Sequence, residues 1–432
     1  MKHIVLYIFL AAACLQVKAQ QILLLPDAIN MALKNSLDIQ LTKNAVAVNM
    51  IFNNYGVAGG LPLVTGTLTD NEQVSNINQK LNTGVSINRN DVATNNAVVG
   101  ITGSILLYNG NRVHATKARL ETLVKQSDQQ LNGQIQNIIA AVMVAYFDIV
   151  RQQRYINTID RSIDASQQQM DIVKARQSVG LANNADLFQA QIDLNALQQT
   201  KQSQQLIVAQ GKTELLRQLT LNTDAAILIK DSIIVDNTLQ LDNILNTLNK
   251  NPNILAAQDQ IKINELIVKE TAALRYPSLR ANTGFNFSRN KAAAGQLLLN
   301  QNYGPSVGIS LGLPIYNGSI YKRQQRVAVI NVTNAELNKN ILLRDYNAQV
   351  IKAFQSYSST LNQLKTEEEN YKLSSQLLSL ILQRFQFKQA TIVEVKNAQQ
   401  SFEASGYRLV NLSFSAKTAE IELNRLANKL SL

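Results

Sequence analysis

The 432-residue chain contains one cysteine, two histidines, six prolines and no tryptophan. Each scarcity closes off some chemistry. Zinc sites need several Cys, His or carboxylate ligands at fixed spacing, and no such set is visible. A Ser/His or Cys/His nucleophile system would rest on His114 alone, because His3 lies in an expected leader. His114 reads instead as a plain polar helix residue. There is no phosphate-binding P-loop, no G-x-G-x-x-G, no H-E-x-x-H and no G-x-S-x-G. The sequence therefore points to no enzyme, no cofactor and no metal site. The prolines stand at positions 26, 62, 252, 277, 305 and 314, so 63–251 and 315–432 are free of them. Proline breaks helices, and such stretches permit very long ones.

Net charge is +11, or +9 without Lys2 and Lys18 of the leader. The Lys and Arg residues are spread thinly, without clusters or repeated aromatic interleaving. They describe a solvated surface and no nucleic-acid partner.

Met1-Lys2-His3 is a short cationic start, followed by apolar Ile4 to Ala13 and by Val17-Lys18-Ala19. Residues 1–19 read as a secretory signal peptide cleaved before Gln20. A second reading takes Ala11-Ala12-Ala13-Cys14 as a weak lipobox, with Cys14 as a lipid-bearing N-terminus. Either route takes the chain out of the cytoplasm. No later stretch approaches the length of a transmembrane helix. A membrane span would have to be built from strands.

What the sequence has in abundance is self-similarity. Val99-Gly100-Ile101 and Tyr108-Asn109-Gly110 recur as Val307-Gly308-Ile309 and Tyr316-Asn317-Gly318, 208 positions on. The same offset pairs Arg176 with Arg384, Asp186 with Glu394, and Glu214-Leu215 with Glu422-Leu423. The expected organisation is a first repeat over 20–219, a linker over 220–250 and a second repeat over 251–432. Seven extra residues fall in one loop of the first repeat, between Pro62 and Tyr108.

Each repeat reads as helix, strand, strand, long helix, helix. Helices are expected from Pro26 to about Asn49 and from Pro252 to about Leu274. Strands of about ten residues are expected within 62–108 and 277–315. Leu279, Ala281, Thr283, Phe285 and Phe287 alternate with polar or small residues, as do Val307, Ile309, Leu311 and Leu313. That is the period of a half-exposed strand. The stretch from Leu63 to Asp70 gives the weakest strand signal. After each Tyr-Asn-Gly the period changes to threes and fours. Asn111 to Val179 would form one helix of roughly 100 Å at 1.5 Å per residue. A return helix is expected from Asn184 to Leu219, and the apolar faces read as coiled-coil core.

Four strands cannot close a membrane barrel, so other copies of the chain must complete it. A polar alternate face favours a water-filled lumen over a packed interior. At this point the chain resembles the TolC-type outer-membrane efflux family, the exit ducts of tripartite pumps and type I secretion systems. The resemblance rests on the duplication, on Gly312-Leu313-Pro314-Ile315-Tyr316-Asn317-Gly318, and on Val179-Gly180-Leu181 followed by Asp186. It implies a mainly α chain with membrane β: helical hairpins forming a periplasmic tunnel, and a trimeric twelve-stranded barrel in the outer membrane of a Gram-negative bacterium. It also implies outer-membrane lipid around the barrel, a periplasmic adaptor protein and an inner-membrane transporter. By the same resemblance, Val179, Gly180 and Leu181, with Lys388, Gln389 and Ala390 in the second repeat, form the adaptor-docking tip. Asp186, Phe385, Glu394 and Asn397 fall at the pore constriction. Phe385 and Ala390 replace a Tyr and an Arg that latch the gate in well-known members. A different class of reading is a secreted or periplasmic coiled-coil scaffold without a pore.

Overall fold

The computed structural model describes residues 21–430. Residues 1–20, where the expected leader, its cleavage site and Cys14 fall, and the last two residues lie outside the described residues. In chain order the elements are β1 (Gln21–Ile22), α1 (Leu25–Asn35), α2 (Leu37–Phe52), β2 (Leu63–Lys80) and β3 (Ser86–Tyr108). Then come α3 (Arg112–Ser178), α4 (Asn184–Gln218), β4 (Ile227–Leu228), α5 (Leu241–Thr247) and α6 (Pro252–Ala273). The chain closes with β5 (Ser278–Ala292), β6 (Leu299–Gly312), α7 (Ile320–Gln386) and α8 (Ile392–Leu426).

The duplication reaches the backbone. α3 and α7 are both 67 residues long, and α4 and α8 both 35. Left-handed residues recur in pairs: Gly110 and Asn111 match Gly318 and Ser319, Gly180 matches Lys388, and Thr220 matches Asn428. One expected helix is in fact two. Ser36 ends α1 with its N–H on the Ala32 carbonyl (2.9 Å), and its Oγ accepts from the Ile39 N–H (3.4 Å). A short polar side chain that can serve as both cap and breaker divides the helix there.

The chain forms two compact units, each drawing on both repeats. The first holds residues up to Asn44, 129–255 and from Ile341 onward. Its largest core gathers Ile139, Val142, Tyr146, Ile149, Leu215 and Ile421 with the α1 residues Ala28 and Ile29. One window of α3 is apolar and long enough to cross a bilayer, contrary to expectation. The protein uses that apolar character for the core: Val142, Tyr146 and Ile149 are at most 1% exposed. The segment between the repeats is pinned by two tyrosines. The Tyr146 hydroxyl donates to the Asp231 carboxylate and lies 2.9 Å from the Leu23 carbonyl, and the Tyr357 hydroxyl donates to the Asp236 carbonyl. Burial, then the neighbouring Asp231, pushes the Tyr146 phenol far up, so it remains a donor at any physiological pH.

The second unit holds residues 45–128 and 256–340. Its sheet runs β2-β3-β5-β6, antiparallel throughout. The strands are 18, 23, 15 and 14 residues long, not about ten. The β2 stretch that gives the weakest signal is among the longest. Its Thr65 and Thr67 sit on the polar face, where Thr65 Oγ1 meets Thr102 Oγ1 at 2.9 Å.

Register separates the two faces. Leu68, Val99, Phe287 and Tyr303 form one cross-strand row, and Ile101, Phe285 and Pro305 share the next full row. The apolar rows continue through Val64, Thr283 and Val307 to Leu279 and Leu311. From Tyr303 to Leu311 the face runs about 27 Å along the strand at 3.4 Å per residue, or about 21 Å in height at a tilt of about 40°, near the apolar band of an outer-membrane barrel. Above it the same face turns charged, with Asp70 and Arg289 in one row and Glu72 and Lys291 in the next. The opposite face carries Thr102, Gly284, Asn282, Ser306 and Ser310, with Asn282 donating to Ser310 at 3.0 Å.

Beyond Ala93, whose carbonyl accepts from the Ala293 N–H at 2.9 Å, β2 and β3 pair only with each other among the described residues and turn tightly at Leu81–Val85, where Gly84 has φ +85°. The seven extra residues of the first repeat are thus part of a β-hairpin arm and not a loop. A bulge between Ser75 and Ile77 breaks its ladder, and the Asp91 N–H binds the Asn76 side chain at 2.9 Å.

Candidate functional site: the hairpin turns and the sheet

The turns joining α3 to α4 and α7 to α8 lie in the first unit. Both end their first helix in the same way. The Leu181 N–H reaches back to the Arg176 carbonyl (2.8 Å), and the Gln389 N–H to the Arg384 carbonyl (2.8 Å). Gly180 and Lys388 supply the left-handed residue at φ +75° and +64°. This closure satisfies helix-end carbonyls and suits glycine, which has no Cβ penalty. Lys388 adopts it with a full side chain.

Each second helix then starts with a reciprocal cap. The Asp186 N–H donates to Asn183 Oδ1 (2.8 Å), and the Asp186 carboxylate accepts from the Asn183 N–H (3.4 Å). The Glu394 N–H donates to Thr391 Oγ1 (3.2 Å), and Glu394 Oε2 accepts from the Thr391 N–H (2.6 Å). These bonds, led by the Thr391 backbone N–H, hold the Glu394 carboxyl below its usual range. Both carboxylates therefore act as helix caps at the turn. Glu394 and Asn397 are exposed, three residues apart on one helical face, while Asp186 is partly covered.

The apolar residues at the turns divide sharply. Val179 is 67% exposed, Leu181 58% and Phe387 72%, whereas Phe385 is 1% exposed. Phe385 packs against Val173, Leu378, Ile381, Val395 and Phe402. The Arg176 guanidinium lies 4.3 Å over its ring and donates to its carbonyl. A residue expected at the constriction is therefore enclosed by its own chain, because the ring and the cation satisfy each other there. Ala390 is also drawn in, partly buried against the same cluster. Lys388 and Gln389 remain exposed.

Three contributors are absent from the expected set. Phe387 is the register partner of Val179, 208 positions on, and the repeat offset was the signal that could have found it. Val393, 64% exposed, is a further apolar side chain left open just past the same turn. Arg176 was visible as a repeated arginine, but its ring partner follows only from packing. His114 stands exposed near the start of α3 without a side-chain partner among the described residues. Nor do the described residues gather three or more His, Cys, Asp or Glu side chains into a metal site.

The second functional surface is the sheet. Val307 is 87% exposed, Leu68 77%, Ile309 72% and Ile101 61%. An apolar face of this size is stable only when covered. In lipid the edges of β2 and β6 must also find backbone partners.

Comparison with known proteins agrees with this geometry. The sequence model of the family described as "Outer membrane efflux protein" matches residues 28–219 and 243–429. The outer membrane protein TolC of Vibrio cholerae is 22% identical over 370 residues, covering 81% of this chain and 82% of that protein. The outer membrane protein VceC of Vibrio cholerae superposes with a TM-score of 0.78 at 16% identity, covering 94% of this chain and 96% of that one. The Campylobacter jejuni CmeC outer membrane channel gives 0.76 at 16% identity, covering 94% and 85%. The family is one of channels, and a pore-free scaffold gives no account of the exposed apolar sheet. The chain belongs to the outer membrane efflux protein family and is an outer-membrane export channel with a large periplasmic helical part.

Proposed function

We propose that three copies of the chain join edge to edge, β6 of one against β2 of the next, to close a twelve-stranded barrel. The observation that carries this is the four-stranded sheet with one exposed apolar face, one polar face and two open edges. Closure pairs the edge backbone groups, places the apolar rows against lipid and leaves the Ser, Thr, Asn and Gly face around water. The mass of the detergent-purified protein tests it. A trimer is expected, and a monomer that stays in alkali-washed membranes would overturn it.

In this reading the helical hairpins receive cargo from an inner-membrane transporter through a periplasmic adaptor. The adaptor docks on the exposed Val179, Leu181 and Phe387, with Lys388 and Gln389 as polar contacts. The duplicated turn supports this, since each repeat presents a bulky apolar side chain at the same register. Val179→Asp with Phe387→Asp should abolish co-purification of a crosslinked periplasmic partner while the trimer survives. Unchanged capture would remove the docking assignment.

Three copies of Glu394, with Asp186 and Asn397 nearby, would form the polar constriction at the turn end. Phe385 supports it from within as a packed anchor. Glu394→Ala should change conductance and cation block in planar bilayers, and unchanged values would leave Glu394 a cap only. Residues 1–19 act as the leader in this scheme, with Gln20 the first mature residue.

A further inference from the structure

The second unit contains a cavity of about 1170 Å³ where the strands meet their helices. The strand residues lining it, Leu63, Ser104, Leu106, Ser278, Arg280 and Gly312, share the sheet face that carries Thr102 and Asn282. The charges around it are unbalanced. Arg112, Arg119 and Arg280 line it with a single carboxylate, Glu270. Glu270 is already committed to Arg119 at 2.7 Å. Arg112 and Arg280 have no side-chain partner among the described residues, and both are exposed.

We infer that Arg112 and Arg280 form an anion-binding station at the helix end of the barrel lumen, for carboxylate- or phosphate-bearing solutes. A guanidinium keeps its charge at every physiological pH and presents a planar fork that fits carboxylate and phosphate oxygens. Rings of Arg or Lys in a pore select anions. In a closed trimer each arginine occurs three times around one water-filled path, and low-dielectric walls concentrate its field. The same strand supplies its own control. Arg289 lies on the other face of β5, in the row with Asp70 and Ala97 above the apolar band.

This inference rests on the channel reading, and one experiment separates the two. The full-length protein is reconstituted in planar bilayers, and reversal potentials are read across a potassium chloride gradient. Arg280→Gln and Arg112→Gln should each lower the chloride-to-potassium permeability ratio by about two-fold or more, as loss of a charged ring does. Arg280→Lys should keep most of the ratio, and Arg289→Gln should leave it unchanged. If Arg280→Gln fails to assemble, Arg112→Gln at the helix start carries the test. Conducting channels whose ratio ignores both lumen variants would overturn the station and leave the channel intact. An equal shift from Arg289→Gln would also overturn it, by showing a general surface-charge effect. A wild-type protein that forms trimers but never conducts would overturn the channel reading, and the station with it.

Discussion

The two helical hairpins have the same lengths, caps and turn geometry, yet their interiors are built differently. In the first, Ile159 of α3 and Leu197 of α4 are buried, at 1% and 8% exposure. At the matching positions of the second stand Glu367 and Ser405, also buried. The Glu367 carboxylate accepts from Ser405 Oγ at 2.6 Å and from Arg408 Nε at 3.2 Å. Near the turn the contrast reverses. The second hairpin buries Phe385, and its counterpart in the first is Gln177, which donates to Asn184 at 2.5 Å. The backbone of a long hairpin is thus set by length, caps and turn, and several interiors can fill it. Burying a carboxylate carries a desolvation cost that only a complete set of donors offsets. At the Glu367 level the second hairpin therefore depends on specific partners where the first depends on volume, and near the turn the roles are exchanged.

Substitutions can break this comparison. The largest effect is expected at Phe385. Phe385→Ala should cost about 3–5 kcal/mol by loss of a packed ring, read as faster hydrogen exchange in α7 and α8 near the turn. Gln177→Ala should change exchange in α3 by at most about 0.5 kcal/mol, as for other surface residues. Equal effects would show that the hairpins are equivalent after all.

Glu367→Ala comes next, at about 2–3 kcal/mol, because Ser405 and Arg408 lose a charged acceptor. Acid should expose the same residue. Burial works to raise the Glu367 carboxyl, but bonds from Ser405, Arg408 and Asn370 together hold it below its ordinary 4.5. A lowered folded value means its stabilisation is complete above the unfolded value and fades as pH falls through the folded one. Melting of the purified protein should soften below about pH 4.5, less so in Glu367→Gln. Glu403, raised by burial, acts with the opposite sign and is common to both proteins.

Smaller effects are expected at the turns, and they should differ in sign. Gly180→Ala should destabilise by about 1 kcal/mol, and Lys388→Gly should stabilise by about as much, since a side chain at positive φ is strained. Thermal melting of the two variants measures it, and a destabilising Lys388→Gly would show that the lysine side chain offsets its own strain. The caps should show the closest match of all: Asn183→Ala and Thr391→Ala should each cost about 1 kcal/mol, and a clear difference between them would sharpen the contrast.

Much of the fold was legible. The repeat offset of 208 survives as matched helices, matched caps and matched left-handed residues. Strand alternation around Phe285 and Ile309 placed the apolar face correctly. Other features were not. Ser36 divides a helix that the apolar period carries straight through. The seven extra residues between Pro62 and Tyr108 read as a loop because they are an insertion relative to the second repeat, yet two strands can pair with little apolar content when a bulge and a tight turn set their register. At the site, Val179 and Leu181 stand exposed as expected. Phe385 is buried against its own chain, and nothing local in the sequence distinguishes a ring that faces a lumen from one that faces its neighbour helix.

By itself the sequence determined the duplication, the helix and strand types, the caps and the membrane-matched alternation, since each depends on residues near in the chain. Tertiary structure alone decided which side chains remain on the surface. It enclosed Phe385 beneath Arg176, left Phe387 outside, and gathered Arg112 and Arg280 around one cavity. Those outcomes depend on contacts between residues up to about two hundred positions apart, such as Arg176 with Phe385, and packing of that kind leaves no local pattern.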